Sequence, residues 1–143
     1  MQSDGAKGRS NTTQVNLTIK GDDNLSYITQ GGVRSLVDVT LNGSNNVSTV
    51  HQDGDDNISG IAVNGDGNEN WIDVIGDENT AFLTQNGNDH TSGITQRGNE
   101  NIAEIVQSNG GNQAFVTQNG NYANANINQT QGSGNYASVV QGN

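Results

Sequence analysis

The residues of this 143-residue chain best equipped for chemistry are its 15 carboxylates and two histidines, His51 and His90. Turns such as Gly65-Asp66-Gly67-Asn68 resemble the calcium loops of nonapeptide solenoids, which need a nine-residue period with carboxylates in register. The period here is eleven and the acids are unevenly spread, so the turn acids are expected to be solvated gatekeeper charges. Neither histidine has a second His or a Cys beside it in the pattern, and Cys is absent, so neither a metal site nor a disulfide is expected. His51 is expected to point outward alone, and His90 to sit in an inner column as a hydrogen-bonding residue. Catalysis needs carboxylates tuned by burial, or a nucleophile with a base in reach. No acid falls at an inward position, and no Ser has a His at a useful repeat position. No enzyme and no cofactor is therefore expected.

Composition narrows the elements that could hold these residues. Only 29% of residues are hydrophobic and 4% aromatic, too few for a conventional oily core. Charged residues are only 14%, few for a charged disordered segment. A net charge of −10 disfavours nucleic acid and anionic membranes, and no stretch is apolar enough for membrane insertion. Pro, which breaks strand ladders, is absent. Met1 is followed at once by Gln2-Ser3-Asp4-Gly5, so no secretory signal is read at the start.

A repeat reconciles these facts. From Thr13 the chain divides into eleven-residue units, with one extra residue before the twelfth at Asn135. Counting each unit from offset 0, offset 4 is always Leu, Ile or Val: Leu17, Ile28, Val39, Val50, Ile61, Ile72, Leu83, Ile94, Ile105, Val116, Ile127 and Val139. Offset 0 is Asn at Asn24, Asn46, Asn57, Asn68, Asn79, Asn101, Asn112 and Asn135. Offset 6 is Gln at Gln30, Gln52, Gln85, Gln96, Gln107, Gln118, Gln129 and Gln141. Offset 8 is Gly at Gly21, Gly32, Gly43, Gly54, Gly65, Gly76, Gly87, Gly98 and Gly120. Strand side chains alternate, so offsets 0, 2, 4 and 6 form the inward face of a seven-residue strand. Offsets 7 to 10 form a turn in which Gly, Asn and Asp tolerate positive φ. No Asp, Glu, Lys or Arg occupies an even strand offset, and the strand aromatics Tyr27, Trp71, Phe82, Phe115 and Tyr136 all fall on outward ones.

Asn-Gly between strands usually announces an antiparallel hairpin. The columns favour pairing at 22 residues instead. Offset 6 reads Ile19, Leu41, Val63, Gln85, Gln107, Gln129 in odd units and Gln30, Gln52, Val74, Gln96, Gln118, Gln141 in even ones. The expected fold is an all-β solenoid of six 22-residue strand-arc-strand rungs, starting at 13, 35, 57, 79, 101 and 123, with two facing parallel sheets. Residues 1–12 form a flexible tail in this reading. At ~4.8 Å per rung the stack rises about 29 Å. Identical buried amides can bond to the copies above and below, as in cross-β fibres. The last rung is as regular as the interior, so both ends are expected to be open and to template another copy.

The units resemble the curlin repeat, most clearly at Asn79 to Gln96, at Asn101-Ile102-Ala103-Glu104-Ile105-Val106-Gln107 with Asn112-Gln113-Ala114-Phe115-Val116-Thr117-Gln118, and at Asn135 to Gln141. Curlins are the subunits of curli, amyloid fibres on bacterial surfaces. The resemblance implies an extracellular structural subunit serving biofilm matrix and adhesion, a homopolymer, exported through an outer-membrane channel and nucleated by a minor curlin. The acidic chain with its regular final repeat is more similar to the family's major subunit. The missing signal peptide suggests a mature form. Ile19, Leu41, Val63 and Val74 depart from the family's Gln. The alternative is a monomeric binding solenoid of calcium- or ice-binding type, but the outward triads, such as Gln14-Asn16-Thr18 and Ile102-Glu104-Val106, lack the regular Thr array that ice binding needs.

Tyr27, Trp71, Phe115 and Tyr136 concentrate outward aromatics on the even-unit sheet, a candidate face for lateral bundling. Charge of −10 per subunit opposes bundling at low salt. Salt or mild acid is therefore expected to bundle fibres, read by turbidity and microscopy. Bundling that ignores salt and survives replacement of all four rings by Ser contradicts this.

Overall fold

The computed structural model describes residues 12–142. Residues 1–11 of the expected tail, and residue 143, lie outside the described residues. The described chain forms twelve strands: β1 (Gln14–Lys20), β2 (Leu25–Gln30), β3 (Leu36–Asn42), β4 (Val47–Asp53), β5 (Ile58–Asn64), β6 (Glu69–Ile75), β7 (Thr80–Asn88), β8 (Thr91–Arg97), β9 (Ile102–Gly110), β10 (Gln113–Asn119), β11 (Asn124–Gln129) and β12 (Tyr136–Gly142). Odd strands make one six-stranded sheet in the order β1-β3-β5-β7-β9-β11, and even strands make the other. Every pairing is parallel, and each interior strand bonds the strand one rung before and one rung after it. Leu17 pairs with Val39, Ile61 with Leu83, and Ile72 with Ile94. The molecule is thus a β-solenoid of about six turns with a 22-residue spacing, and the hairpin pairing is excluded.

Alternation places the offset-2, -4 and -6 side chains between the sheets. Val39, Val50, Ile61, Ile72, Leu83, Ile94, Ile105 and Val116 form the spine of one continuous buried cluster. Leu17 is instead 48% exposed, with Val15 and Ile19 beside it, because β1 is an edge strand.

The strands begin at offset 1, not 0, and most end at offset 7, with β2 and β11 ending at 6 and β7 and β9 at 9. Offset 0 faces inward, but its backbone N–H leaves the ladder for a side-chain acceptor one rung back, as Asn46 N–H does to Asn24 Oδ1 at 3.0 Å. At the other end β4 runs one residue further, and Asp53, assigned to a turn from the sequence, closes it.

The arc has two backbone positions of positive φ. Offset 10 is left-handed whatever its residue, from Asp23 (54°) to Tyr122 (59°). Offset 8 is more demanding: Gly65 has φ 140°, and a Cβ there would lie 2.0 Å from the carbonyl oxygen of Gly87 in the next rung. Only glycine lets two arcs stack so closely. Gly65→Ala should therefore lower unfolding stability by about 2–3 kcal/mol. Gly110→Ala, where the nearest atom would be at an ordinary 3.5 Å, should change it by less than about 1 kcal/mol. Denaturant titration of both variants distinguishes the two.

Candidate functional site

A carboxamide carries two N–H donors and an oxygen with two lone pairs, and burial requires all of them to be used. At Asn79 this is achieved by translation. Its backbone N–H and Nδ2 both donate to Asn57 Oδ1, at 2.9 and 3.2 Å, and Nδ2 also donates to the Gly98 carbonyl at 2.7 Å. Its Oδ1 in turn accepts the backbone N–H and Nδ2 of Asn101, both at 3.0 Å. Asn46 and Asn68 repeat the arrangement in the other column. Asn57 begins its run by donating its N–H to Ser35 Oγ. Asn101 ends its run at Ala123, whose N–H it accepts.

The glutamines form a second pair of ladders, confined to the later rungs. Gln85 Nε2 donates to Gln107 Oε1, and Gln107 Nε2 to Gln129 Oε1. Gln96 donates to Gln118, and Gln118 to Gln141, both at 2.9 Å. Gln96 and Gln118 also donate across the core to the main-chain carbonyls of Thr80 and Ile102, and Gln85 to Ser92 Oγ. Gln30 and Gln52 stack without bonding each other. Gln52 instead bonds Ser59 Oγ and the Asn57 carbonyl, and Gln30 has no side-chain partner. A column of identical amides therefore does not always satisfy itself, because a facing Ser or carbonyl can compete.

His90 interrupts the even asparagine column. Fully buried, it donates its N–H to Asn68 Oδ1 and accepts the Asn112 N–H at Nδ1, the latter at 3.3 Å. Its Nε2 has no partner. Above it, Asn112 turns its Nδ2 to the Ser108 carbonyl of its own arc. The ladder resumes at Asn135, which donates both N–H groups to Asn112 Oδ1.

The arcs hold a ladder that sequence reasoning missed. The turn acids are not merely solvated. Asp55, Asp66 and Asp77 each accept a backbone N–H from the rung before, those of Val33, Ser44 and Asp55, at 2.7–2.9 Å. Asn88, Asn99 and Asn121 do the same for Asp66, Asp77 and Asn99. The signal was available: offset 9 is Asp or Asn at all these positions. Beside this column, Glu100 hydrogen-bonds Tyr122 and holds its phenol above the usual value.

On the outer face, His51 is not alone: its Nδ1 lies 2.8 Å from Asp73 Oδ1, while Arg97 holds Asp73 Oδ2 at 3.2 Å. Trp71 stacks on Phe115 at 5.4 Å across Gly93, where a Cβ would strike the indole, and Phe115 leans on Tyr136 at 5.9 Å. Tyr27 lies apart from these rings, exposed on β2. Among the described residues no three His, Asp or Glu side chains converge as metal ligands would.

The repeating unit of this site is one rung, with Asn at eight of the twelve strand entries, Gln at eight of the twelve exits, and Gly-rich arcs between. Residues 75–98 match the curlin associated repeat. The matched segment spans Ile75 to Gly98, the fourth rung with the arc that leads into it. The curlin match supports the curlin family, a family of structural proteins. Rungs outside residues 75–98 share its spacing, with an asparagine ladder before it at Asn46–Asn68 and a glutamine bond after it at Gln118–Gln141. No curated protein matches the chain.

Asn101→Ala removes the acceptor for the Ala123 N–H and the side-chain donor to Asn79 Oδ1 and the Gly120 carbonyl, leaving the backbone N–H bond to Asn79. It should destabilise by about 1–3 kcal/mol, whereas Thr84→Ala, on the outer face, should cost less than about 0.5 kcal/mol. His90→Asn restores the column's donors and should stabilise by about 1–2 kcal/mol. Unfolding midpoints of the three variants check this; a loss on His90→Asn contradicts the ladder account.

Proposed function

We propose that this chain is the structural subunit of an extracellular, curli-type amyloid fibre, growing head to tail by strand addition and serving as matrix and adhesive on a bacterial surface. The observation that carries this reading is the state of the two tips. At the C-terminal tip, Asn135 has spent its donors on Asn112 and Gln131, which leaves Oδ1 facing outward as an acceptor. At the N-terminal tip, the Asn24 N–H occupies the position from which Asn46 N–H donates to Asn24 Oδ1 one rung on. Gln141 donates to the Asn124 carbonyl, while the Gln30 amide, buried in the single chain, has no partner there. A second copy stacked in register repeats the interior pattern at both of these positions. The other column matches less well, because Gln129 meets Ile19. The amide ladders act here as the adhesive of the junction, the glycines as the spacers that let arcs stack, and the turn acids as charges that keep unassembled chains apart. A minor curlin-type nucleator and an outer-membrane export channel are the partners this reading calls for.

The test uses mixed single-cysteine chains. Thr29, His51, Asp73, Thr95, Thr117 and Val140 form one outward column of paired residues. Stacking in register puts Val140 of one copy beside Thr29 of the next. Val140→Cys and Thr29→Cys chains, mixed and mildly oxidised, should form heterodisulfides as seedable, unbranched fibres grow. A chain that stays monomeric at high concentration favours the binding-module alternative. Fibres without this cross-link refute head-to-tail stacking.

A further inference from the structure

The same accounting, applied inside the molecule, shows where the stack is discontinuous. Between the second and third rungs, Asn46 and Asn68 are fully bonded, Leu41 packs on Val63, and Gln52, succeeded by Val74, is satisfied by Ser59 Oγ and the Asn57 carbonyl. Between the fourth and fifth, both glutamine columns are continuous. Between the third and fourth, both fail. Gln85 and Gln96 succeed Val63 and Val74, and their Oε1 atoms are buried without partners. His90, stacked on Asn68, supplies one donor where an asparagine supplies two, and Asn70 Oδ1 on the third rung is also unpaired. Of the four inner columns at offsets 0 and 6, only Asn57–Asn79 is intact here, while the arc bonds Asp66–Asn88 and Asp77–Asn99 still cross the plane.

We infer that the solenoid is two cooperative blocks, rungs one to three and rungs four to six, joined at a seam that opens before the rest of the interior does. Offset 6 of the early block is aliphatic at Ile19, Leu41, Val63 and Val74, with Gln30 and Gln52 unbonded to each other, whereas offset 6 of the late block is closed by carboxamide ladders, and the two closures do not mate. Opening at the seam parts two strand pairs, as opening one rung later does, although β7 and β9 pair over nine residues where β5 and β7 pair over seven. It breaks no glutamine–glutamine bond, and it admits water to oxygens that have no partner when the seam is closed. A uniform stack frays from its ends, so its middle plane should be the last to open. The seam reverses that order. The inference does not depend on fibre formation and is tested on the dilute full-length chain.

Equivalent amides mark each plane. Those of Ile58 and Glu69 bond across the seam, to the Asn79 and His90 carbonyls, and those of Thr80 and Thr91 bond across the next plane, to Asn101 and Asn112. Residue-resolved hydrogen exchange should find Ile58 and Glu69 at least about tenfold less protected than Thr80 and Thr91. Val74→Gln joins Gln52 to Gln96 into one even column. Offset 6 meets offset 2 seven residues on, as Gln52 meets Ser59 and Gln85 meets Ser92, so the new side chain should face the small Ala81 and find space. This variant should abolish the tenfold difference, and Val74→Ile, which adds no amide, should leave it. Equal or greater protection at Ile58 and Glu69 overturns the seam in the native chain, whether or not the variants fold. A difference that persists unchanged in folded Val74→Gln also overturns it.

Discussion

The structure depends on what a buried carboxamide requires. An Asn in a dry interior must place two N–H groups and an oxygen against partners, or lose about 1–3 kcal/mol for each group left bare. In a core of mixed side chains those partners must be assembled residue by residue. In a stack of identical rungs they come from translation: Asn79 bonds Asn57 below and Asn101 above with the same atoms. This is how a chain with 29% hydrophobic residues closes an interior at all. The aliphatic spine from Val39 to Ile127 widens to three side chains on β3, with Val37 and Leu41, and narrows in the later rungs, where the polar columns beside it are satisfied only while every rung stays in register. A one-residue slip would turn each amide outward and each outer charge inward.

Register is held a second time at the arcs, in the opposite sense. An inner Asn oxygen receives the N–H of the rung after it, while an Asx oxygen at offset 9 receives the N–H of the rung before it. Each arc is thus tied to its neighbours through both of its faces. The close approach at Gly65 and its counterparts is the geometric condition for this, since any Cβ would force adjacent arcs apart and lengthen both sets of bonds. Glycine, usually a weakness in a β-structure, is here required by the stacking distance itself.

Much of this was legible in the sequence because the spacing is strict. The offset-4 column, the exclusion of charge from even offsets and the like-on-like match at 22 residues led to parallel sheets despite abundant Asn-Gly pairs. Strand limits were displaced by one residue, since side-chain alternation cannot show that the Asn46 N–H leaves the ladder for a carboxamide. The Asx ladder was missed for a related reason. Asp55 and Asp77 were weighed as ligands or as solvated charges, and a bond to main chain leaves no trace in side-chain type except its recurrence at one offset. The His51–Asp73 contact was hidden because its partners are 22 residues apart on the outer face, where the pattern is loose. The succession Val63 to Gln85 was visible, but its meaning required knowing which atom of Gln85 faces Val63.

A polar interior also changes what an open end of such a stack is like. An oily core cut across its middle leaves a hydrophobic surface that adheres to anything apolar. Here the described N-terminal edge exposes Val15, Leu17 and Ile19 only by about half, beside asparagine and glutamine groups that water can solvate. Such a surface gains little from an unspecific partner. It gains most from one that presents donors and acceptors in the same order, at the same spacing and with the same strand direction, and a further rung of the same kind meets those conditions best. Selectivity for its own kind then follows from the directionality of hydrogen bonds, and the aliphatic spine adds strength only after register has been set.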